Sequence, residues 1–324
     1  MRIKAYHLGP IMLKLILHRL LQGTLTLLII SFLVFVLLAS SGGDAVSTLQ
    51  TNQQTSEQTL ATLRHIYGLD RPLPVRYVTW LSELLRGNLG QSIYFQSSVG
   101  SILWPRLLKT MTLTVAALSI ASLLALSLGL AAVRQKGSLT DRLCEAIMLL
   151  AASAPRLVLA ILALSFLART TLASSVTGSD DGIWLIRLLL PAFILSVPLI
   201  ALLLAQTRTA LTETLETEFV RTARAKGVPE RTILLRHALR PALNPLITTL
   251  GYSFGGLMSG SVVVEQVMNW PGLGQVSVIA VQSRDVALLM GIVLVASAAV
   301  LAGNLAADVL LRLNDPRLRE EKSF

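Results

Sequence analysis

Apolar runs of about 20 residues, each enough to cross roughly 30 Å of hydrocarbon at 1.5 Å per residue, recur along the chain at Leu20–Ala39, Thr110–Val133, Leu143–Leu167, Leu188–Gln206, Leu246–Val264 and Val286–Leu311. Polar stretches separate them. Ser41–Lys109 is the only long one; Arg134–Arg142 and Arg169–Arg187 (with Asp180-Asp181) are short, a charged island precedes the fifth run, and Arg312–Phe324 forms the tail. The pattern predicts an all-α polytopic membrane protein of six transmembrane helices with one soluble segment between helices 1 and 2. Ala39-Ser40-Ser41 mimics a leader cleavage site, but the run before it is long enough to span and reads as an uncleaved first helix.

The island Glu218–Pro245 breaks the apolar pattern most sharply. Glu218, Arg221, Arg224 and Lys226 stand at helical spacing, and Gly227 stops that helix as glycine does in the left-handed region. Pro229 restarts one, proline suiting a first helical turn. Arg231 to Arg240 predict a second short basic helix ended by Pro241 and Pro245. Two short helices joined at a glycine, too charged to be buried, have the shape of a docking element in water at the membrane face.

Composition agrees with the membrane reading: 53% hydrophobic and 14% charged residues, mean hydropathy +0.66. The net charge of +10 would suit nucleic acid, but its lysines and arginines fall in loops between spans, where orientation and anionic lipid explain them. They cluster before the first span, in Arg134–Arg142, in Arg208–Arg240 and in the tail, whereas the two short opposite loops hold only Arg169, Arg187 and Arg284. Both termini and the island are therefore expected in the cytoplasm. The lone Cys144 and the scattered His7, His18, His65 and His237 build no metal site, and no phosphate loop or His-Glu-x-x-His motif occurs. No catalytic, cofactor or metal residue is expected in this chain.

The island resembles the coupling loop of binding-protein-dependent ABC importer permeases, the dipeptide/oligopeptide/nickel family. Gly227 matches the glycine between its two coupling helices, Arg221-Thr222-Ala223 stand in place of the Glu-Ala-Ala that names the loop, and His237, Leu239 and Pro245 match its distal part. The likeness continues in Gly68-Leu69-Asp70, in Leu85, Gly87, Asn88, Leu89, Gly90 and Ser92, in Glu265 to Gly274 with Trp270-Pro271-Gly272, and in Asn304, Asp308 and Asp315-Pro316-Arg317. It implies a type I ABC importer permease fold: helix 1 with an extracytoplasmic segment facing the binding protein (1–109), a permease core (110–311) with its coupling loop (207–245), and a cytoplasmic tail (312–324). It also implies a bacterial or archaeal inner-membrane location, a second homologous permease, two ABC ATPase subunits that carry ATP and Mg, and an extracytoplasmic solute-binding protein. Glu218, Arg221, Thr222, Ala223, Lys226, Gly227, Arg231, His237 and Leu239 would make up the docking element. Peptides are the implied cargo, with nickel, a metal chelate or a glutathione-like peptide as alternatives. A passive channel or membrane scaffold is the reading from another class.

Within the spans, Gly251, Gly255, Gly256 and Gly260 form overlaid small-x-x-x-small pairs that pack helices closely, within this chain or against a second permease. Asn304 and Asp308, one turn apart, tie helices together. Pro191 and Pro198 share a face and kink the fourth span. Arg156, after Ser153-Ala154-Pro155, is a charge deep in the third span; it lines the pore, facing a carboxylate-bearing solute, or else pairs with Asp308 or snorkels from a helix broken at Pro155. Ser253 joins it as a pore candidate. Trp270-Pro271-Gly272 reads as a rigid turn that shapes a gate or anchors at the interface. Trp80, Tyr94 and Trp104 suit an aromatic belt.

Overall fold

A computed structural model describes residues 8–40, 57–66, 70–134, 137–169 and 184–314. The helices are α1 (Leu8–Ser40), α2 (Glu57–Ile66), α3 (Leu73–Leu85), α4 (Val99–Arg134), α5 (Leu139–Ser153), α6 (Arg156–Leu167), α7 (Trp184–Leu215), α8 (Glu218–Ala225), α9 (Glu230–Thr232), α10 (Leu239–Val267), α11 (Leu273–Gln282) and α12 (Val286–Asn314). Strands β1 (Gln91–Ser92) and β2 (Ser97–Ser98) pair antiparallel as a small hairpin between α3 and α4. Among the described residues five helical stretches are long and apolar enough to span a membrane, and α5 with α6 makes a sixth if the bent pair is one span. Tyr67-Gly68-Leu69, Asp180-Asp181 and Asp315-Pro316-Arg317 lie outside the described residues.

Three expectations need correction. The third span is not one helix: Ala154 and Pro155 adopt extended backbone and α6 leaves α5 at 97°, because a residue before proline is pushed out of the helical region. Pro241 and Pro245 do not end the island's second helix. A π-helical turn over Ile233–Ala238, with Leu239 N–H donating to the Leu234 carbonyl, widens the backbone just before Pro241. The helix then continues unbroken from Glu230 to Val267; a widened turn relieves the clash of a proline ring with the carbonyl four residues back. The fourth span runs well past Gln206, to Leu215, with Pro191 and Pro198 inside it.

The chain divides into two compact units. The first comprises residues 1–16, 111–269 and 300–324. Its centre is α7, whose Leu195, Leu203, Leu204 and Leu211 are fully buried. On α4, Ala117, Ala121 and Ala125 are buried four residues apart; one further step brings Gly129, where a Cβ would stand 2.5 Å from Thr207 Cγ2. Small residues at that spacing admit a neighbouring backbone, and in a bilayer such packing is what holds helices together. Thr249 on α10 donates to Gln206 on α7 (2.6 Å), and Asn314 ties the end of α12 to Asn244 (2.7 Å).

The second unit comprises residues 17–110 and 270–299. Here Tyr77 of α3 packs on Phe32 and Phe35 of α1 and shares a 3.0 Å hydrogen bond with Ser31. Gly291 lets Val99 and Leu103 close onto α12. The hairpin is held by Asp285, whose carboxylate accepts from Ser92 Oγ (2.6 Å), Tyr94 N–H (3.1 Å) and Leu288 N–H (3.1 Å). Of the three proposed belt residues, Tyr94 and Trp104 are exposed while Trp80 is half-buried, stacked on Tyr77.

Candidate functional site

The elbow between α8 and α9 is built by short-range rules. Thr217 lies in extended backbone ahead of α8, and Glu218 brings a carboxylate to its first turn, where the helix dipole favours one. At the other end Gly227 takes φ +74°. Its N–H donates to the Arg224 carbonyl (2.9 Å) and the Val228 N–H to the Ala223 carbonyl (3.2 Å). These five-to-two and six-to-one closing bonds are how a glycine cap satisfies a helix C-terminus. Pro229, at φ −59°, stands just before α9 and accepts from Thr232 N–H and Ile233 N–H.

Arg224 braces the elbow. Its Nε donates to Glu230 Oε1 (2.7 Å) and its Nη2 to Oε2 (3.4 Å), so one guanidinium spans the glycine in a two-pronged grip. The pairing holds Arg224 in its charged form, raising its pKa. A third, longer bond reaches the Leu215 carbonyl at the end of α7 (3.5 Å). Val220 is fully buried beneath α8, and Leu234 and Ala238 of the π turn pack on Ala210 and Leu211 of α7. The face turned away exposes Glu218, Phe219, Arg221, Thr222, Lys226, Gly227, Arg231 and Leu235. Ala223, His237 and Leu239 are half-buried. The proposed docking residues thus gather on one elbow, partly as its exposed surface and partly as its support. Sequence reasoning passed over Glu230, whose role depends on a partner across the turn.

Arg208 on α7 links to α5, donating to Asp141 Oδ1 (2.5 Å) and Glu145 Oε1 (3.2 Å). Asp141 Oδ2 takes the Gly137 N–H (3.0 Å), and Ser138 caps α5. A cavity of about 210 Å³ opens beside this cluster, with Thr212, Glu216 and Arg224 on its walls.

The remaining candidates do not form one site. Arg156 opens α6, half-buried against Gly260 of α10, while Ser153 and Pro155 are exposed and Ser253 is half-buried. Gly251 and Gly255 face Ala307 and Val300 of α12, which is packing within the chain, whereas a Cβ at Gly256 would meet nothing within 4 Å. Asn304 and Asp308 are half-buried on α12. Trp270 is buried within the chain: its Nε1 donates to the Lys109 carbonyl (3.1 Å) and Lys109 Nζ sits 6.0 Å from its ring. Gly272 N–H folds back to the Trp270 carbonyl around exposed Pro271, and Leu273 N–H, opening α11, donates to Thr110 Oγ1 (2.8 Å).

Residues 121–320 match the family described as the binding-protein-dependent transport system inner membrane component, and residues 12–114 match its N-terminal part. The chain belongs to this family. It is a multi-pass inner-membrane permease subunit of an ABC importer, a transport component in a system that includes ATPase and binding-protein partners. It is 36% identical over 317 residues to a protein of Brucella ovis provisionally named a peptide permease, covering 95% of this chain and 99% of the relative. A Sinorhizobium fredii protein, likewise provisionally named a peptide ABC transporter permease, is 32% identical over 309 residues, covering 94% and 98%. The glutathione transport system permease protein of Salmonella typhimurium is 33% identical over 308 residues, covering 95% and 99%.

Proposed function

We propose that this permease forms half of a translocation pore for short peptides. A second permease would supply the other half, two separate ATPase subunits the energy from ATP and Mg, and an extracytoplasmic binding protein the solute. The chain itself carries no hydrolytic step. The observation that carries the coupling role is the glycine-capped elbow: a short helix with a buried anchor at Val220 and an exposed face around Arg221, Lys226 and Gly227. Such an element transmits force because α8 is braced to α9 through Arg224 and Glu230, and α9 continues into the spanning helix α10. ATP-driven closure of the ATPases would move the elbow and turn the pore outward; hydrolysis would reset it. Both termini lie in the cytoplasm on this reading, in keeping with the distribution of basic residues.

The peptide assignment rests on the names of the relatives from Brucella and Sinorhizobium. Those from Salmonella favour a second reading within the same chemistry, the tripeptide glutathione. Native mass spectrometry of the complex purified through a tag on this chain tests the whole assignment. Two ATPases, a second permease and a binding protein are expected, and denaturing the binding protein releases a peptide. Release of a metal chelate overturns the cargo, and isolation of the chain without an ATPase overturns the coupling role.

A further inference from the structure

We propose that Arg156 is the selectivity residue of the translocation path, holding a carboxylate of the passing solute. The inference rests on the peptide reading above, since a peptide with a free C-terminus presents such a group.

Arg156 sits at the break between α5 and α6. Fifteen residues of α5 precede it, about 22 Å of helix at 1.5 Å per residue, so the charge lies deep in the span. A cation at such depth is costly unless it faces water or an anion. Among the described residues the Arg156 side chain makes no hydrogen bond or ion pair, and none to Asp308, whose interaction lies elsewhere. The position is nevertheless built. The guanidinium lies over Gly260 of α10, where any Cβ would collide with Nη1, so glycine at 260 makes the room.

The surroundings point to a solute more than to lipid. Along α6, Leu157, Val158, Ile161 and Leu162 are exposed and wholly apolar, the composition of a lipid-facing surface. Beside the guanidinium, α10 exposes Gly256 and Ser259, flanked along the same helix by the exposed Tyr252 and Val263, and Gly256 has open space where a Cβ would stand. Arg156 therefore borders an unfilled gap at Gly256 and the hydroxyl of Ser259, whereas Leu157, Val158, Ile161 and Leu162 of α6 offer only apolar side chains. The α6 backbone adds to the attraction. The first amide bonded back toward the helix start is Leu159 N–H, to the Pro155 carbonyl, which leaves the N–H groups of residues 156–158 for an anion at the positive end of the helix dipole. A planar guanidinium with free amides beside it matches a carboxylate better than a neutral amide.

The test is uptake by the complete importer in proteoliposomes, comparing a short peptide with its C-terminal amide, each at a concentration that saturates the binding protein. A charge-assisted contact of ordinary strength predicts that the free acid moves at least about tenfold faster than the amide. Arg156→Gln should bring the two rates together by slowing the acid alone. Arg156→Lys should keep part of the preference. Gly260→Ala, which retains the charge but displaces it, should shrink the preference and serves as the readout if the glutamine variant fails to assemble. Equal slowing of both peptides in Arg156→Gln, or an unchanged ratio in Gly260→Ala, overturns the role of Arg156 and leaves the peptide reading standing. Wild-type vesicles that move neither peptide, although the loaded binding protein stimulates ATP hydrolysis, overturn the peptide reading itself.

Discussion

Arg224 and Glu230 face each other across Gly227, Nε to Oε1 at 2.7 Å, so a side-chain bridge spans the point where the backbone turns between α8 and α9. The glycine permits the turn, and the bridge limits how far it flexes. Both side chains are largely exposed, with 44% and 67% of their surface accessible, and an ion pair of that kind contributes about 0.2–1 kcal/mol at most. On the proposed coupling role its value is mechanical. Arg224→Ala and Glu230→Ala should each shift the melting temperature little while lowering the peptide moved per ATP hydrolysed, and the double variant should be no worse than either single one. Uptake and hydrolysis measured together check this; additive losses would mean that the two residues act separately.

Gly227 tests the turn itself. A Cβ there would touch nothing in the chain, so the only internal cost of a side chain is the left-handed backbone, about 1–2 kcal/mol for an ordinary residue and less for asparagine. Gly227→Asn should therefore retain much of the transport, Gly227→Ala less, and Gly227→Asp should abolish it while membrane insertion stays normal, since its charge would sit at the ATPase surface. The three uptake rates, ranked against insertion measured by protease protection, decide the matter. Equal activity of the aspartate variant would discredit docking at this residue.

How much of this was legible in the sequence follows from the distance over which each feature is determined. The elbow is local: charge spacing, one glycine and one proline fix it, and Gly227 does turn with positive φ. The spans are legible because apolar length alone decides them. A break at Pro155 is one of the readings the sequence allows, but its 97° angle is not legible, because a proline in a span can bend a helix or break it. Pro241 and Pro245 misled for the converse reason, a π turn that no propensity signals. Asp285 could not be found at all. Its partner Ser92 lies 193 positions away, and a lone aspartate beside Arg284 reads as an ordinary loop charge.

Asp285 makes a prediction on that account. It is 1% exposed and takes three donors, two of them from the hairpin loop. Replacement by alanine takes the acceptor from the Ser92 hydroxyl and from the Tyr94 and Leu288 amides, at about 1–3 kcal/mol for each buried group left unsatisfied. Asp285→Ala should lower the melting temperature clearly and open the loop at Tyr94–Phe95 to protease, whereas Ser92→Ala should do less on both counts. Limited proteolysis in detergent reads it directly.

The α10 glycines separate packing within the chain from packing against a second permease. Gly251→Ala places a methyl 2.6 Å from Ala307 Cβ and should destabilise this chain, since overpacking typically costs about 1–3 kcal/mol. Gly256→Leu projects into open space and should leave the isolated chain as stable as before. If the second permease meets α10 there, the same change releases it. Native mass spectrometry of the two variants is the check, and an intact permease pair with Gly256→Leu would remove that face from the interface.

Arg208 offers the last test, because its two partners differ in exposure. Asp141 is 12% accessible and also holds the Gly137 amide, while Glu145 is 56% accessible. Losing the exposed partner should cost well under about 1 kcal/mol. Losing the buried one leaves Arg208 only its longer, exposed contact to Glu145 and weakens the hold on the loop amide at the head of α5. Breaking a fully buried pair typically costs about 3–5 kcal/mol, and residual exposure brings the expectation for Asp141→Asn to about 1–3 kcal/mol. Thermal unfolding in one detergent should thus rank wild type and Glu145→Gln together, with Asp141→Asn well below. Arg208→Gln should fall near the aspartate variant, since it leaves Asp141 buried without its cation. Equal effects of the two acidic replacements would mean that α5 is held to α7 by its apolar packing and that the ion pair is incidental.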